Sequence, residues 1–236
     1  MSRSTVGGCP VVIKETDYDA TLEADGLRAL DEAGAPVPEV LEVGPHHLVM
    51  TEVGGPPDWE GLGLALARCH RATADAYGYS IDNVVGPLAQ INTWTAGWPE
   101  FYARHRLRPH LETLPPDLGH RLVAVIEDGR LTDLLEHGQG PSLIHGDLWS
   151  GNIVAGRWLI DPAVCFGDRE LDRAFADLFG GIPRSMWAAY EEEWPLDPGW
   201  KQRQPALQLY HLLIHVRLFG DAYASMLAER LDRLGW

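Results

Sequence analysis

The sequence predicts an α+β protein of two unequal lobes, and three observations carry that prediction. Residues 1–53 alternate short β-branched runs with one helix. Residues 54–236 are dominated by helical spacing. Between them stands Gly54-Gly55-Pro56-Pro57, the strongest loop signal in the chain. The expected division is therefore a small strand-rich lobe over 1–53 and a larger, mostly helical lobe over 54–236. A chain of 236 residues has room for one large domain or two intimate lobes.

In the first lobe, Val11-Val12-Ile13 is a β-branched run ending at Lys14, and such runs favour strands. Over 21–33, Leu22, Leu27, Leu30 and Ala33 fall near helical spacing, and Gly34 supplies a C-terminal cap. Past Pro36 and Pro38, residues 39–43 and 47–53 read as two further strands. This strand–helix–strand–strand unit is too small to fold well alone. In the second lobe helices are expected over 60–76, 98–114, 118–126, 132–136, 170–179, 185–193, 207–219 and 222–234. The stretch 143–161 interrupts them with a loop and two strands, 153–155 and 158–160, turning at Gly156-Arg157.

Composition narrows the function. Hydrophobic residues at 45% and charged residues at 22% are ordinary globular usage, which excludes disordered and fibrous classes. The 19 Lys+Arg against 34 Asp+Glu give a net charge of -15, a surface that repels nucleic acid and anionic membranes. Neither is an expected partner. No run approaches the roughly 20 apolar residues of a membrane helix, and residues 1–10 lack a signal-peptide core. Cys9, Cys69 and Cys165 are too scattered for a disulfide or zinc framework, and His211 and His215 come without a His-Glu-x-x-His pattern. A soluble cytoplasmic protein is expected.

The chemistry is concentrated in His145-Gly146-Asp147-Leu148-Trp149-Ser150-Gly151-Asn152, followed by Leu159-Ile160-Asp161-Pro162. An Asp, an Asn five positions later and an Asp closing the next hairpin reproduce the spacing of a kinase catalytic loop and its second metal-binding residue. Phosphoryl transfer asks for a carboxylate to orient and deprotonate the attacking hydroxyl, which is the place of Asp147. It also asks for oxygen ligands to Mg²⁺, the place of Asn152 and Asp161. Turn propensity alone explains one such residue, not three in order between apolar strands. Upstream, Lys14 ends a strand and Glu23 lies on the next helix, the order of the kinase phosphate-binding lysine and its glutamate partner. Lys14 and Lys201 are the only lysines in the chain. Met50, Thr51, Glu52 and Val53 then form the strand whose backbone meets adenine.

With these residues in view, the chain resembles the fructosamine kinase (ketosamine-3-kinase) family, within the aminoglycoside-phosphotransferase-like kinases. The resemblance rests on the 145–152 loop, Ile160-Asp161-Pro162-Ala163 and Gly167-Asp168-Arg169-Glu170-Leu171-Asp172. It extends to Asp82-Asn83, Gln90, Asn92, Trp94, Trp98, Phe101-Tyr102, Arg106-Leu107-Arg108-Pro109, Trp194-Pro195-Leu196 and 209–213. It implies a two-lobed protein-kinase-like fold and ATP- and Mg²⁺-dependent phosphorylation of a sugar hydroxyl on a ketosamine, free or protein-bound. By the same resemblance Asp147 is the base, Asn152 and Asp161 are metal ligands, and Trp149, Asp168 and Glu170 lie near the sugar. An aromatic face such as Trp149 packs well on a sugar ring. Asp168 and Glu170 have an equal alternative, capping the helix that begins at 170.

One departure stands out. A complete kinase small lobe begins with two strands joined by a glycine-rich loop over the ATP phosphates. Here 13 residues precede Lys14, with only Gly7-Gly8 among them. The expectation is a truncated sheet with Gly7-Gly8 joined almost directly to the lysine strand, or a start lying upstream, and reduced rather than absent activity. An uncovered sheet edge also invites a homodimer. The competing readings are a kinase of another hydroxylated amine, of aminoglycoside or choline type, and a degenerate ATP-binding pseudokinase.

Overall fold

Strand pairing begins earlier than the hydrophobic pattern indicates. In the structure, a computed structural model that describes residues 1–236 except the side chain of Asp221, β1 (Ser2–Val6) pairs antiparallel with β2 (Cys9–Glu15). Gly7 and Gly8 join them at φ 58° and 87°. Two consecutive left-handed residues make the hairpin turn whose twist matches the strands, and glycine adopts both without strain. Gly7-Gly8 thus lead directly into the lysine strand, as expected, and the strand ahead of them is the feature that was not expected in the space before Lys14. Every residue of β1 is exposed, so no alternation betrays it.

Helix α1 (Ala20–Glu32) starts where the Asp19 carboxylate accepts from the Thr21 N–H at 3.0 Å, and it ends at Ala33-Gly34 as expected. It buries Ala20, Ala24, Leu27 and Leu30. Strands β3 (Val40–Val43) and β4 (His47–Thr51) complete an antiparallel sheet in the order β1-β2-β4-β3. Gly26 lets α1 lie against the segment after Asp161: a Cβ there would sit 3.1 Å from Pro162.

Helix α2 (Trp59–Cys69) stops short of the expected end at 76, because Arg71 and Ala72 turn back onto the carbonyls of Arg68 and Cys69. A small hairpin follows, β5 (Asn83–Val85) and β6 (Leu88–Gln90). The single helix expected over 98–114 is instead three pieces: α3 (Trp98–Phe101), a π-helical turn Tyr102–Leu107 and a 3₁₀ stretch Arg108–Thr113. Pro109 lacks an N–H and clashes with the preceding turn, so the regular ladder breaks there. Then come α4 (Pro116–Glu127), α5 (Arg130–Leu135), β7 (Ser142–Ile144), β8 (Ile153–Val154), β9 (Trp158–Leu159) and β10 (Cys165–Gly167). Strand β7 pairs with β10 and β8 with β9. The chain ends in α6 (Glu170–Phe179), α7 (Arg184–Glu193), α8 (Trp200–Phe219) and α9 (Ala224–Leu234).

Two apolar clusters hold these elements. One joins α3, α4, α6, α8 and α9 through Phe101, Leu122, Phe175, Leu213 and Leu231. The other joins α1 and β4 to α2, α7 and β9 through Leu27, Leu48, Leu66, Met186 and Leu159. Each such fully buried side chain contributes roughly 1.5–3 kcal/mol. The second cluster crosses position 53, so Gly54–Pro57 marks a change of secondary structure while burial continues across it. No helix among the described residues is long and apolar enough to cross a membrane.

Candidate active site

The loop between β7 and β8 is fixed by its backbone before any side chain acts. Gly146 sits at φ 81°, and a Cβ there would fall 2.0 Å from the Ala163 carbonyl, so glycine is obligatory. Asp172, on the first turn of α6, accepts the N–H groups of His145 at 2.7 Å and Gly146 at 2.9 Å. Its other neighbour is His70 Nε2 at 3.2 Å. Burial pushes the Asp172 pKa up, but these hydrogen bonds and the nearby imidazoles outweigh it and hold the carboxyl below its ordinary value. The His145 ring accepts from the Asp147 N–H on Nδ1 at 3.2 Å and donates through Nε2 to the Ile160 carbonyl at 3.0 Å. Burial lowers its pKa, consistent with this neutral tautomer.

Asp147 is gripped by Asn152, whose Nδ2 donates to the Asp147 carbonyl and to its Oδ2, both at 2.9 Å. Burial pushes the Asp147 pKa up to about 7, the Asn152 bond opposes the rise, and the charges of Asp161 and Asp172 add to it. Asp161 takes φ 55°, left-handed backbone that a non-glycine residue adopts only when its surroundings enforce it.

Across the cleft, Lys14 Nζ donates to Glu23 Oε2 at 2.6 Å and to Asp161 Oδ1 at 2.9 Å, joining residues 147 apart in the chain. Tyr18 donates its hydroxyl to the same Glu23 oxygen at 2.6 Å. Burial works to lower the Lys14 pKa, yet the two carboxylates raise it above its ordinary value, so the ammonium is permanent. Burial raises that of Glu23 against the pull of Lys14. Beside this cluster, Met50, Thr51, Glu52 and Val53 line a cavity of about 160 Å³ together with Val12, Val154 and Ile160. The N–H groups of Thr51 and Glu52 are spent on the Glu39 and Pro10 carbonyls within the sheet.

The residues proposed for metal fit one. With the Asn152 amide nitrogen engaged by Asp147, its oxygen is the free ligand atom. Asp161 adds a carboxylate that is one-third exposed. Hard oxygen donors of this kind suit Mg²⁺. Trp149 is 36% exposed and meets Phe179 edge-on at 6.3 Å.

Asp168 and Glu170, in contrast, have other partners than a sugar. Asp168 accepts the Glu170 N–H at 2.9 Å, capping α6, and pairs with His137 Nε2 at 2.6 Å. Glu170 is fully buried and chelated by Arg203 through two bonds of 2.7 Å. Each of these oxygens thus has a protein partner, and the Asp168 bond to the Glu170 N–H is the contact that the capping alternative describes. The sequence reading misses a second set of residues: Arg169 donates to the Tyr190 hydroxyl at 3.1 Å, which lies 2.8 Å from His70 Nδ1, and His70 meets Asp172. Those partners are far apart in the chain, and no local spacing signals them.

A model of the fructosamine kinase family matches residues 14–235. A probable ketoamine kinase of Enterococcus faecium is 33% identical over 242 residues, spanning 93% of this chain and 83% of that protein. A crystal structure from Thermobifida fusca, assigned as a fructosamine-3-kinase, superposes with a TM-score of 0.88 at 35% identity, covering 98% of this chain and 88% of the other. A choline/ethanolamine kinase family protein from Mesorhizobium loti shares the fold alone, with a TM-score of 0.62 at 17% identity over 99% of this chain and 83% of that one. The architecture is therefore the two-lobed α+β fold of protein-kinase-like enzymes.

Proposed function

The chain belongs to the fructosamine kinase family, and from that premise we propose that it transfers the γ-phosphoryl group of ATP to a sugar hydroxyl of a ketosamine. The observation that carries the reading is the convergence of Lys14, Glu23, Asp147, Asn152 and Asp161 from both sides of one cleft. In this reading residues 1–53 form the nucleotide lobe and 54–236 carry the catalytic loop and the acceptor.

Adenine enters the cavity along Met50, Thr51, Glu52 and Val53, and Lys14 reaches the phosphates while Glu23, steadied by the Tyr18 hydroxyl, holds its ammonium. Asp147 accepts a hydrogen bond from the acceptor hydroxyl. As the hydroxyl oxygen bonds to the γ-phosphorus and the bond to the ADP oxygen breaks, the proton passes to the Asp147 carboxylate. A pKa of about 7 suits a group that must take a proton in one step and release it in the next. Asn152 and Asp161 hold Mg²⁺, which when bound neutralises the phosphate charge. Trp149 offers its exposed face to the sugar ring, while Asp168 and Glu170 fix the start of α6 behind the loop. An excess of acidic residues favours approach of a substrate carrying a protonated amine. The exposed β1 edge supports pairing of two copies through that edge.

The test is ADP release with Mg-ATP across a panel of free and peptide-bound fructosyl- and ribulosyl-amines, aminoglycosides and choline. Turnover with the sugar amines above the rest is expected. Turnover only with an aminoglycoside or choline would replace the substrate class. Nucleotide binding without turnover on any member would favour a pseudokinase.

A further inference from the structure

Behind the metal-side carboxylate lies a group of polar side chains that the reaction does not use. Asn83, Gln90, Asn92, Arg106 and Tyr210 are each at most 5% exposed. They come from the β5–β6 hairpin and the loop after it, the π-helical turn and α8. Gln90 Nε2 donates to the Ala163 carbonyl at 3.0 Å and to Asn83 Oδ1 at 2.8 Å. Asn83 Nδ2 donates to the Val164 carbonyl at 2.8 Å. Asn92 joins Asn83 Oδ1 at 3.0 Å, and its own oxygen accepts from Arg106 Nη2 at 2.7 Å. Tyr210 donates its hydroxyl to Gln90 Oε1 at 2.6 Å. The Arg106 guanidinium, fully buried, rests over the rings of Phe101 at 4.6 Å and Tyr210 at 5.4 Å.

A merely space-filling role is a poor use of these residues, since apolar side chains would fill the volume without desolvating amides and a guanidinium. The bonds have a common target. Ala163 and Val164 follow directly on Asp161-Pro162, and the opposite edge of that segment is held by His145, which accepts the Ala163 N–H at 2.9 Å and donates to Ile160. Asp161 lies between these anchors in a left-handed conformation that relaxes unless its neighbours fix it.

We propose that Gln90, supported by Asn83, Asn92, Arg106 and Tyr210, is a positioning residue for Asp161: Gln90 clamps the Ala163 carbonyl and Asn83 the Val164 carbonyl, which keeps the Asp161 carboxylate aimed at the Lys14 and Asn152 side of the cleft. The inference rests on the reading of Asp161 as a metal ligand. It extends that reading to a shell of residues that touches neither metal nor substrate. Outer-shell partners of this kind typically govern metal affinity by roughly 10–100-fold.

The experiment measures Mn²⁺ affinity in the presence of ADP by electron paramagnetic resonance on the full chain. The variants are Gln90→Met, Tyr210→Phe, Asp161→Asn and Leu231→Ala, the last an apolar core truncation in α9 that removes none of the network's hydrogen bonds. Thermal unfolding is recorded for each. Gln90→Met should weaken Mn²⁺ binding about tenfold or more, with Tyr210→Phe, which removes one hydroxyl and leaves the fold intact, shifting it less in the same direction. Leu231→Ala should lose thermal stability and keep wild-type Mn²⁺ affinity. Wild-type Mn²⁺ affinity in Gln90→Met and Tyr210→Phe, alongside a loss in Asp161→Asn, would overturn the positioning role alone. Unchanged affinity in Asp161→Asn would overturn the metal-ligand reading and the inference with it.

Discussion

On the sheet side of the cleft, Lys14 is held by side-chain charge: Glu23 and Asp161 grip its ammonium, and Tyr18 steadies Glu23. On the loop side, Asp147 is held mainly through backbone. His145 and Gly146 are tied by their N–H groups to Asp172, Gly146 is pressed against Ala163, and the Asp147 N–H is tied to the His145 ring. On the proposed reading, the contrast follows from the task of each side. A lysine that must meet phosphates needs a partner it can share, since an ion pair adjusts when a new anion arrives. A base needs a fixed distance to one hydroxyl, and directional hydrogen bonds to a clamped main chain supply it.

The largest expected effect lies on the loop side. Asp147→Asn should lower the phosphorylation rate by about 10²–10⁴-fold. At pH 8 its thermal unfolding temperature should hold or rise, because the folded protein raises the Asp147 pKa and so disfavours the ionised carboxylate. A matching loss of stability would mean that the aspartate is structural.

Next in size, Asp172→Ala strands the two backbone N–H groups and His70 Nε2. Urea unfolding should report a loss of about 3–5 kcal/mol, typical of a broken buried charged network. A loss under about 1 kcal/mol would remove the backbone clamp from the comparison.

Acid should also weaken the loop side. His211, stacked on Phe175 with centroids 3.6 Å apart and lying 2.9 Å from the Gly146 carbonyl, has a pKa lowered to about 3 by burial. The unfolded chain binds a proton at His211 below about pH 6.5 while the fold does not, so this stability is complete above that pH and drains as the pH falls toward 3. At pH 5 the loss is about 2 kcal/mol, and His110 and His145, also lowered by burial, add to it. Asp147, whose pKa is raised to about 7, takes up a proton in the fold over the same range and works the other way, so the check is differential: between pH 7 and 5 the urea midpoint of His211→Gln should move upward relative to that of the wild type.

The smallest effect belongs to the sheet side. Glu23→Gln leaves Lys14 paired with Asp161, so the KM for ATP should rise about tenfold, equivalent to about 1.4 kcal/mol, with kcat little changed. A collapse of kcat instead would show that the ion pair, like the loop, sets the geometry of the reacting groups.

The two sides were also unequally legible in the sequence. Asp147, Asn152 and Asp161 stand within a short stretch whose spacing is itself the signal, and the structure brings them together with Lys14 and Glu23. The helices over 20–32, 116–127 and 170–179 were readable from apolar periodicity. Strand β1 was not, because an exposed edge strand of Ser, Arg and Thr leaves no alternation. The π-helical turn was not, because its apolar spacing imitates an α-helix until Pro109 breaks it. The partners of Asp168 and Glu170 were not legible, since a sequence does not reveal that His137 and Arg203 reach them from 31 and 33 residues away. Asp172 and the Gln90 network escaped a role for the same reason: their partners are backbone atoms of distant segments.

The most direct test of the central claim is phosphorus NMR of the protein with Mg-ATP and a synthetic fructosyl-amine, run beside Asp147→Asn. The account predicts a growing sugar-phosphate resonance matched by loss of the ATP γ-signal, absent from the variant. An ATP spectrum that stays unchanged with folded protein and a binding-competent cleft, or a sugar phosphate that forms equally fast in Asp147→Asn, would contradict it.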